Sequence, residues 1–158
     1  MAISDNNSIV VQLWKNMETA SLGTLEPNGF PHVSLITIAP QDNGSALLLL
    51  SDLARHTENI KRDSRASLLV QAAPDGKGEV STNVDPLASE RITIHGNIEV
   101  LPVDQQKNGK FDFIKRHPAA EQYINFADFN LYEFCASEIY LVGGFGRIES
   151  FPAKILTS

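Results

Sequence analysis

Residues that could bind an anion are concentrated in one short stretch of the sequence, from Ser51 to Thr57. Arg55 offers a planar cationic fork, and His56 adds a second positive charge when it is protonated. The hydroxyl groups of Ser51 and Thr57 are further hydrogen-bond donors. An apolar strand is predicted to end at Ser51 and a helix to start near Thr57, and a helix start exposes N–H groups and a partial positive charge. The stretch therefore predicts a phosphate site, and a plain strand-to-helix connection is the alternative.

The polar face of a predicted strand is a second candidate. Between Arg91 and Val100, isoleucines alternate with polar residues, so that Arg91, Thr93 and His95 share one face at intervals of roughly 7 Å. If this face borders a cleft, Arg91 reaches the same anion as Arg55. A solvent-exposed sheet face is the alternative.

The remaining motifs exclude several kinds of chemistry. The four histidines lack close metal-ligand spacing, so no metal site is predicted, although any of them could be an axial haem ligand: His32, His56, His95 and His117. His117 precedes Pro118, which favours a helix cap. The glycines from Gly143 to Gly146 lack the third glycine of a dinucleotide turn and are expected to bend the chain. No residue is identified as a catalytic acid or base.

Composition narrows the classes of partner and compartment. The chain has 158 residues and a net charge of −6, with no dense basic run, which argues against binding nucleic acid. Cys135 is the only cysteine, so no internal disulfide can form, and core packing is its expected role. No apolar run approaches the roughly 20 residues that cross a bilayer, and no signal peptide is visible. We expect a cytoplasmic protein with no membrane partner.

Hydrophobic periodicity predicts mainly β structure with a few helices. Two Asn-Gly pairs mark tight turns between the first three strands. A long loop is expected from Ala73 to Ala88, and no regular βαβ alternation is present, which favours an antiparallel barrel. The predicted helices are Ser8–Met17, Arg55–Asp63, Asp104–His117 and Pro118–Asn125; the strands are Ala20–Leu25, Phe30–Ala39, Ala46–Ser51, Arg65–Ala72, Arg91–Val100, Phe129–Phe134 and Ile139–Val142.

Several motifs together resemble a known family. They include Leu50–Asn59 with its Ala-Arg-His-Thr-Glu-Asn stretch, Arg91–Gly96, and Val142–Arg147 with its Gly-Gly-Phe-Gly-Arg stretch. The chain resembles the pyridoxamine 5′-phosphate oxidase-like FMN-binding split barrels, specifically their haem-iron-utilisation branch. The resemblance implies a single domain over residues 1–158, folded as a six-stranded antiparallel split β-barrel (mainly β, α+β) with a few flanking helices. It also implies a homodimer with ligand clefts at the subunit interface.

The resemblance implies a cofactor site as well. The flavin ring of FMN would lie near one set of residues and its phosphate near another: His32, Val33, Ser34 and Leu35 for the ring, and Ser51, Arg55, His56, Thr57 and Arg91 for the phosphate. The chain departs from the oxidases, which have an Arg-Lys pair where Arg55-His56 stands, and it lacks their C-terminal substrate motif. No histidine follows Arg147, whereas haem-handling members ligate iron through one there.

Three functions remain open on these residues. The leading hypothesis is a flavin-dependent oxidoreductase of unknown substrate that uses FMN. The alternatives are a haem-binding or haem-degrading protein, with His32, His56 or His95 as a substitute ligand, and a non-enzymatic flavin or haem carrier.

A homodimer is also predicted from the strands themselves. Val33–Ile38 and Leu47–Leu50 carry apolar residues on both faces, whereas a barrel has one interior. The second faces need cover from helices or from another subunit. We expect an interface that buries upwards of roughly 2,000 Å².

Overall fold

Seven strands and three α-helices make up the regular structure of the described residues. The computed structural model of the protein describes residues 5–72, 85–144 and 146–157. The helices are α1 (Asn6–Asn16), α2 (Arg55–Arg62) and α3 (Val103–Arg116). The strands are β1 (Thr19–Leu25), β2 (Pro31–Pro40), β3 (Ser45–Ser51), β4 (Arg65–Gln71), β5 (Glu90–Val100), β6 (Phe129–Gly143) and β7 (Ile148–Pro152).

The first six strands close into an antiparallel barrel. Their order is β3-β2-β1-β4-β5-β6, and β3 pairs with β6 to close the ring, while β7 extends β6 outside it. Two glycines with positive φ, Gly29 and Gly44, lie in the turns that join β1 to β2 and β2 to β3, as the Asn-Gly pairs predict. The predicted mainly β fold, a six-stranded antiparallel barrel with flanking helices, is therefore confirmed.

Apolar side chains fill the barrel and one helix-covered outer face. The barrel interior is built from residues such as Leu22, Ile38, Leu68 and Ile94, and α1 adds Trp14 to it. A second apolar cluster lies between β3 and α3 and includes Leu47, Leu49 and Phe113. The second apolar face of β3 is thus covered by this chain's own helix.

Strand β2 is different, because its outer face has no cover from the described residues. Val33 is 68% exposed and Leu35 is 76% exposed, whereas Ile36 and Ile38 point into the barrel. The alternation of β5 holds over Ile92, Ile94 and Ile98, but Val100 at its end is exposed.

Four sequence predictions need correction. The segments 129–134 and 139–142 form one strand, since β6 continues through a bulge opposite His95 and Gly96. Strand β7 was not predicted, and the segment after Pro118 is a 3₁₀ helix, Pro118–Gln122, rather than an α-helix. Cys135 is exposed rather than in the core, because it lies on the outer face of β6.

Other segments agree with the sequence or lie outside the described residues. His117 is the C-cap of α3, as predicted, and its Nε2 lies 2.8 Å from the carbonyl oxygen of Ile38. The glycines after β6 form the turn to β7, where Gly144 and Gly146 have positive φ. Of the long loop, residues 73–84 lie outside the described residues, and Asp85 caps a 3₁₀ turn at Pro86–Ala88. None of the helices in the described ranges is long and apolar enough to span a membrane.

Candidate functional site

The predicted site residues fall into separate groups in the structure, the first of which lies between β2 and the start of α2. His32 and Ser34 alternate with exposed Val33 and Leu35, so they lie on the opposite face of β2, toward α2. There, Ser34 Oγ lies 3.2 Å from His56 Nδ1. Four predicted residues, His32, Ser34, Arg55 and His56, are therefore brought together, and we refer to them with Glu26 as the α2 cluster.

Glu26 is the member of the α2 cluster that the sequence analysis missed. Its Oε1 lies 3.5 Å from His32 Nδ1 and 3.3 Å from Arg55 Nη1, so one carboxylate faces both the imidazole and the guanidinium. The sequence offered a signal, since Glu26 directly precedes the first predicted turn and so lies beside the start of β2. The cluster is consequently partly neutralised by the chain itself.

The charge of His56 is also reduced by its surroundings. Burial is the main cause that lowers the pKa of His56 below its ordinary value of 6.5, and nearby His32 lowers it further. A neutral imidazole adds no positive charge for a phosphate. Arg55, which remains mostly exposed, is then the main cation of the α2 cluster.

Ser51 and Thr57 direct their hydroxyl groups into the strand-to-helix connection. Ser51 Oγ donates to Asp128 Oδ2 at 2.6 Å, and Thr57 Oγ1 donates to the carbonyl oxygen of Ser51 at 2.7 Å. Thr57 is fully buried. Both hydroxyl groups therefore hold the start of α2 in place, which is the role expected of them in a plain strand-to-helix connection.

A hydrogen-bonded carboxylate anchors the same connection to β6. Asp52 accepts hydrogen bonds from Tyr132 Oη at 3.0 Å and Asn130 Nδ2 at 2.9 Å, and it pairs with Lys61 at 3.2 Å. Burial favours the neutral carboxyl, but donors such as Tyr132 and Lys61 outweigh it and lower the pKa of Asp52. The connection that presents Arg55 is thus rigidly attached to the barrel.

Arg91 is not part of the α2 cluster. It lies at the start of β5, where it pairs with Gln71 and Val142, toward the opposite end of the sheet from His32. Its Nη1 donates to the carbonyl oxygens of Leu87 at 3.0 Å and Ser89 at 3.4 Å. Within one chain, Arg91 therefore supports the 3₁₀ turn before β5.

The outer face of the sheet carries the second group of predicted residues, Val33 and Leu35. Cross-strand partners share a face, so the registers define two neighbouring rows across β2, β1, β4, β5 and β6. The first row is apolar in character and consists of Leu35, Ser21, Leu69, Thr93 and Tyr140; the second consists of Val33, Gly23, Ser67, His95 and Glu138.

A groove of about 580 Å³ runs along the second row on this outer face. Its lining is largely apolar and includes Gly23, Pro31, Arg65, Ser67, His95 and Asn97, and we refer to it as the outer groove. A smaller cavity of about 170 Å³, between Thr93, Glu138 and Tyr140, lies on the other side of His95. The outer groove falls within the size range of small-molecule and cofactor sites.

Comparison with known proteins agrees with this architecture. The family model described as "CREG, beta-barrel" matches residues 6–156. The chain is 26% identical over 116 residues to the non-canonical heme oxygenase HOZ of Arabidopsis thaliana chloroplasts. The aligned region covers 73% of this chain and 33% of that protein. It is also similar to a heme-binding protein from Mycobacterium smegmatis, with a TM-score of 0.83 and 26% identity over 99% of this chain and 62% of that one.

A more distant relative shares the fold. A pyridoxinephosphate oxidase family protein from Clostridium acetobutylicum has a TM-score of 0.68 at 16% identity, covering 94% of this chain and 96% of that one. The chain spans about a third of the plant protein and less than two thirds of the mycobacterial one. The predicted resemblance to the split barrels is confirmed, and the two relatives at 26% identity, both named for heme, fit its haem-utilisation branch. Because the family model covers nearly all of the chain, the chain belongs to the CREG β-barrel family.

Proposed function

We propose that this protein binds haem in the outer groove as a homodimer. The observation that carries the proposal is a largely apolar groove of about 580 Å³ on a sheet face that also exposes the imidazole of His95, which has no hydrogen-bond partner among the described residues. The two relatives at 26% identity, from Arabidopsis thaliana and Mycobacterium smegmatis, are a heme oxygenase and a heme-binding protein by name, which supports the same ligand.

The residues of the outer groove fit the chemistry of haem. Haem is a flat apolar macrocycle with carboxylate groups at one edge, so it requires apolar walls and a cation at the rim. Arg65 lines the groove and is 73% exposed, and its guanidinium is held by both carboxylate oxygens of Asp63. Arg65 would hold a haem carboxylate through its remaining donors. Bound haem supplies redox-active iron, and this chain binds it, orients it and limits its contact with water.

The dimer proposal rests on the apolar row beside the outer groove. Leu35 is 76% exposed, and Leu69 and Tyr140 are each 41% exposed, on alternate strands of one row, with Ser21 and Thr93 between them. Large apolar side chains exposed on one sheet face are typical of an interaction surface. A two-fold axis would pair this row with the same row of a second copy and leave the outer groove at the seam.

FMN at the start of α2 is the second candidate, as cofactor of a flavin-dependent oxidoreductase. Ala54 provides no side-chain cap for α2, and its carbonyl oxygen accepts from the N–H of Thr57, so the N–H groups of Arg55 and His56 have no partner among the described residues. Arg55 stands beside them, which favours an anion. Glu26 faces the guanidinium of Arg55, as Asp63 faces that of Arg65, so the apolar area of the outer groove and the names of the relatives are what make haem the leading proposal.

The two candidates are separated by titrating the purified protein with haem and, independently, with FMN. We expect haem to saturate with a sharpened Soret band and to protect the protein against thermal unfolding, because a ligand that binds only the folded state stabilises it. FMN should bind more weakly. Tight FMN binding with quenched flavin fluorescence, together with no saturable haem binding, would replace the haem proposal by the flavin one.

A further inference from the structure

We propose that His95 is the axial ligand of the haem iron in the outer groove. The inference rests on the proposed haem function and goes further by naming the iron-binding residue. It is based on where His95 lies in the fold compared with the other three histidines, and on the shape of the surface beside His95.

The other three histidines are engaged with partners in this chain. His32 faces the carboxylate of Glu26, and His56 faces the hydroxyl of Ser34, both in the α2 cluster on the other side of β2 from the outer groove. His117 lies beside the carbonyl oxygen of Ile38 and packs on the ring of Phe113. Each would have to give up a contact, and leave its site, to bind a ligand in the outer groove.

His95 has neither restriction. Its side chain is exposed on the outer face of β5, and its ring makes no hydrogen bond with any residue in the described part of the chain. It lines both the outer groove and the smaller cavity beside Tyr140. A neutral imidazole with a free ring nitrogen is the commonest protein ligand for iron in haem.

Small residues beside His95 make room for a flat ligand. The neighbours of His95 in its row are Ser67 and then Gly23, which has no side chain. A methyl group built on Gly23 would make only ordinary contacts, the nearest with the carbonyl oxygen of Ser67 at 3.6 Å, so no large side chain rises from this part of the surface. The exposed imidazole of His95 therefore projects beside small residues, where the face of a flat macrocycle can approach its ring nitrogen.

The backbone that carries His95 is fixed on both sides. β5 pairs with β4 at Ser67 and with β6 at Glu138, and a β-bulge in β6 places Ser137 Oγ 3.0 Å from the carbonyl oxygen of His95. Bulges beside binding sites commonly re-aim a side chain. The next residue, Gly96, admits no side chain, since a Cβ there would lie 2.4 Å from the carbonyl oxygen of Cys135.

Glu138 is placed to orient the imidazole. It is the cross-strand partner of His95 and lines the same small cavity. A carboxylate on the second ring nitrogen of a ligating histidine sets its tautomer and raises its basicity. Glu138 makes no hydrogen bond to the His95 ring among the described residues, and it would act as a positioning residue once iron holds the other ring nitrogen. Glu138→Gln should then shift the spectrum of the iron complex without abolishing it.

The test compares iron protoporphyrin IX with metal-free protoporphyrin IX on the full chain and on His95→Ala. Removing a ligand costs at least as much as removing the partner that orients it, which is about 10–100-fold in metal affinity. We expect His95→Ala to weaken binding of the iron porphyrin at least about tenfold and to move its Soret band. Binding of the metal-free porphyrin should be unchanged, and millimolar imidazole should restore the wild-type spectrum of the iron complex.

His32→Ala is the matched control, because it removes a histidine outside the outer groove. It should leave both porphyrins bound as in the wild type, and circular dichroism should show that both variants fold. Wild-type protein that binds neither porphyrin would overturn the haem function itself. If the wild-type protein binds both porphyrins and His95→Ala has the same iron-porphyrin spectrum as the wild type, only the assignment of His95 as the ligand is overturned.

Discussion

The two faces of strand β2 offer very different surroundings to a ligand. On one face, the α2 cluster contains Arg55 and His56, which are expected at a phosphate, but Glu26 faces the guanidinium and Ser34 faces the imidazole. On the other face, Val33 and Leu35 are exposed beside a groove whose histidine has no partner among the described residues. Side chains of a type that suits a ligand therefore indicate a site less strongly than polar groups without a hydrogen-bond partner and apolar groups left exposed.

The largest expected effect is on assembly, through the apolar row of the outer face. Leu35→Glu places a carboxylate in the proposed interface, and a buried unpaired charge costs about 3–5 kcal/mol. The two-fold axis applies this cost twice. Sedimentation velocity at micromolar concentration should show a dimer for the wild type and a folded monomer for the variant.

Val103→Glu is the control for this experiment. Val103 is 92% exposed on α3, away from the sheet face, so the added charge should leave the sedimentation coefficient unchanged. A wild-type protein that sediments as a monomer, or a Leu35→Glu dimer as stable as the wild type, would contradict the assignment of this row to the interface.

The next effect concerns the α2 cluster. Arg55→Ala should weaken FMN binding by about 1.5–3 kcal/mol, the range for a hydrogen bond to a charged group, and should barely change binding of riboflavin, which has no phosphate. Glu26→Gln should act in the opposite direction, because it releases Arg55 from a competing carboxylate. Fluorescence titration of both flavins measures these changes. Equal losses for the two flavins in Arg55→Ala would show that Arg55 does not contact the phosphate.

Much of the fold was predictable because its signals are local. Asn-Gly turns, the alternation of β5 and the proline after α3 each depend on neighbouring residues in sequence. The bulge in β6 was not predictable in this way: it depends on Gly96 meeting the backbone of β6, which is a contact between distant strands. Cys135 was misplaced for a similar reason: it lies on the outer face of β6, where the cover from distant α3 reaches Leu131 but not Cys135.

The candidate site was less predictable than the fold. The Arg55-His56 stretch was located correctly on a strand-to-helix connection, but Ser51 and Thr57 use their hydroxyl groups within it. Nothing local indicates that Glu26 faces Arg55, because the two are 29 residues apart. His95 was identified as one of three possible haem ligands, and only the registers of β4, β5 and β6 distinguish it from His32 and His56.

A smaller effect is expected from filling the floor of the outer groove. Gly23→Leu adds a branched side chain beside Ser67. Overpacking of this kind costs about 1–3 kcal/mol, and we expect the free energy of haem binding to weaken by that amount. Gly23→Ala is the control, because its Cβ makes only ordinary contacts, the nearest at 3.6 Å. Haem titration should therefore show weaker binding for the leucine variant and near wild-type binding for the alanine variant. Equal affinities for all three proteins would place the haem elsewhere.

The smallest effect is a pH dependence of stability that belongs to the α2 cluster and not to the outer groove. Burial and His32 lower the pKa of His56 in the folded protein, whereas the unfolded chain titrates near 6.5. As the pH falls through 6.5, the unfolded chain therefore binds a proton at His56 that the folded protein resists, and the free energy of unfolding decreases. Above that range both states are neutral at this residue, so it contributes no slope.

Urea denaturation across about pH 7.5 to 5 measures this dependence. His56→Gln cannot take up the proton, so its stability should fall less than that of the wild type on acidification. His95→Gln is the matched control, because it removes an exposed imidazole without described partners and should retain the wild-type dependence. If the wild type and His56→Gln lose stability in parallel, the buried environment of His56 does not oppose its protonation. In that case His56 supplies the second positive charge that a phosphate at the α2 cluster requires.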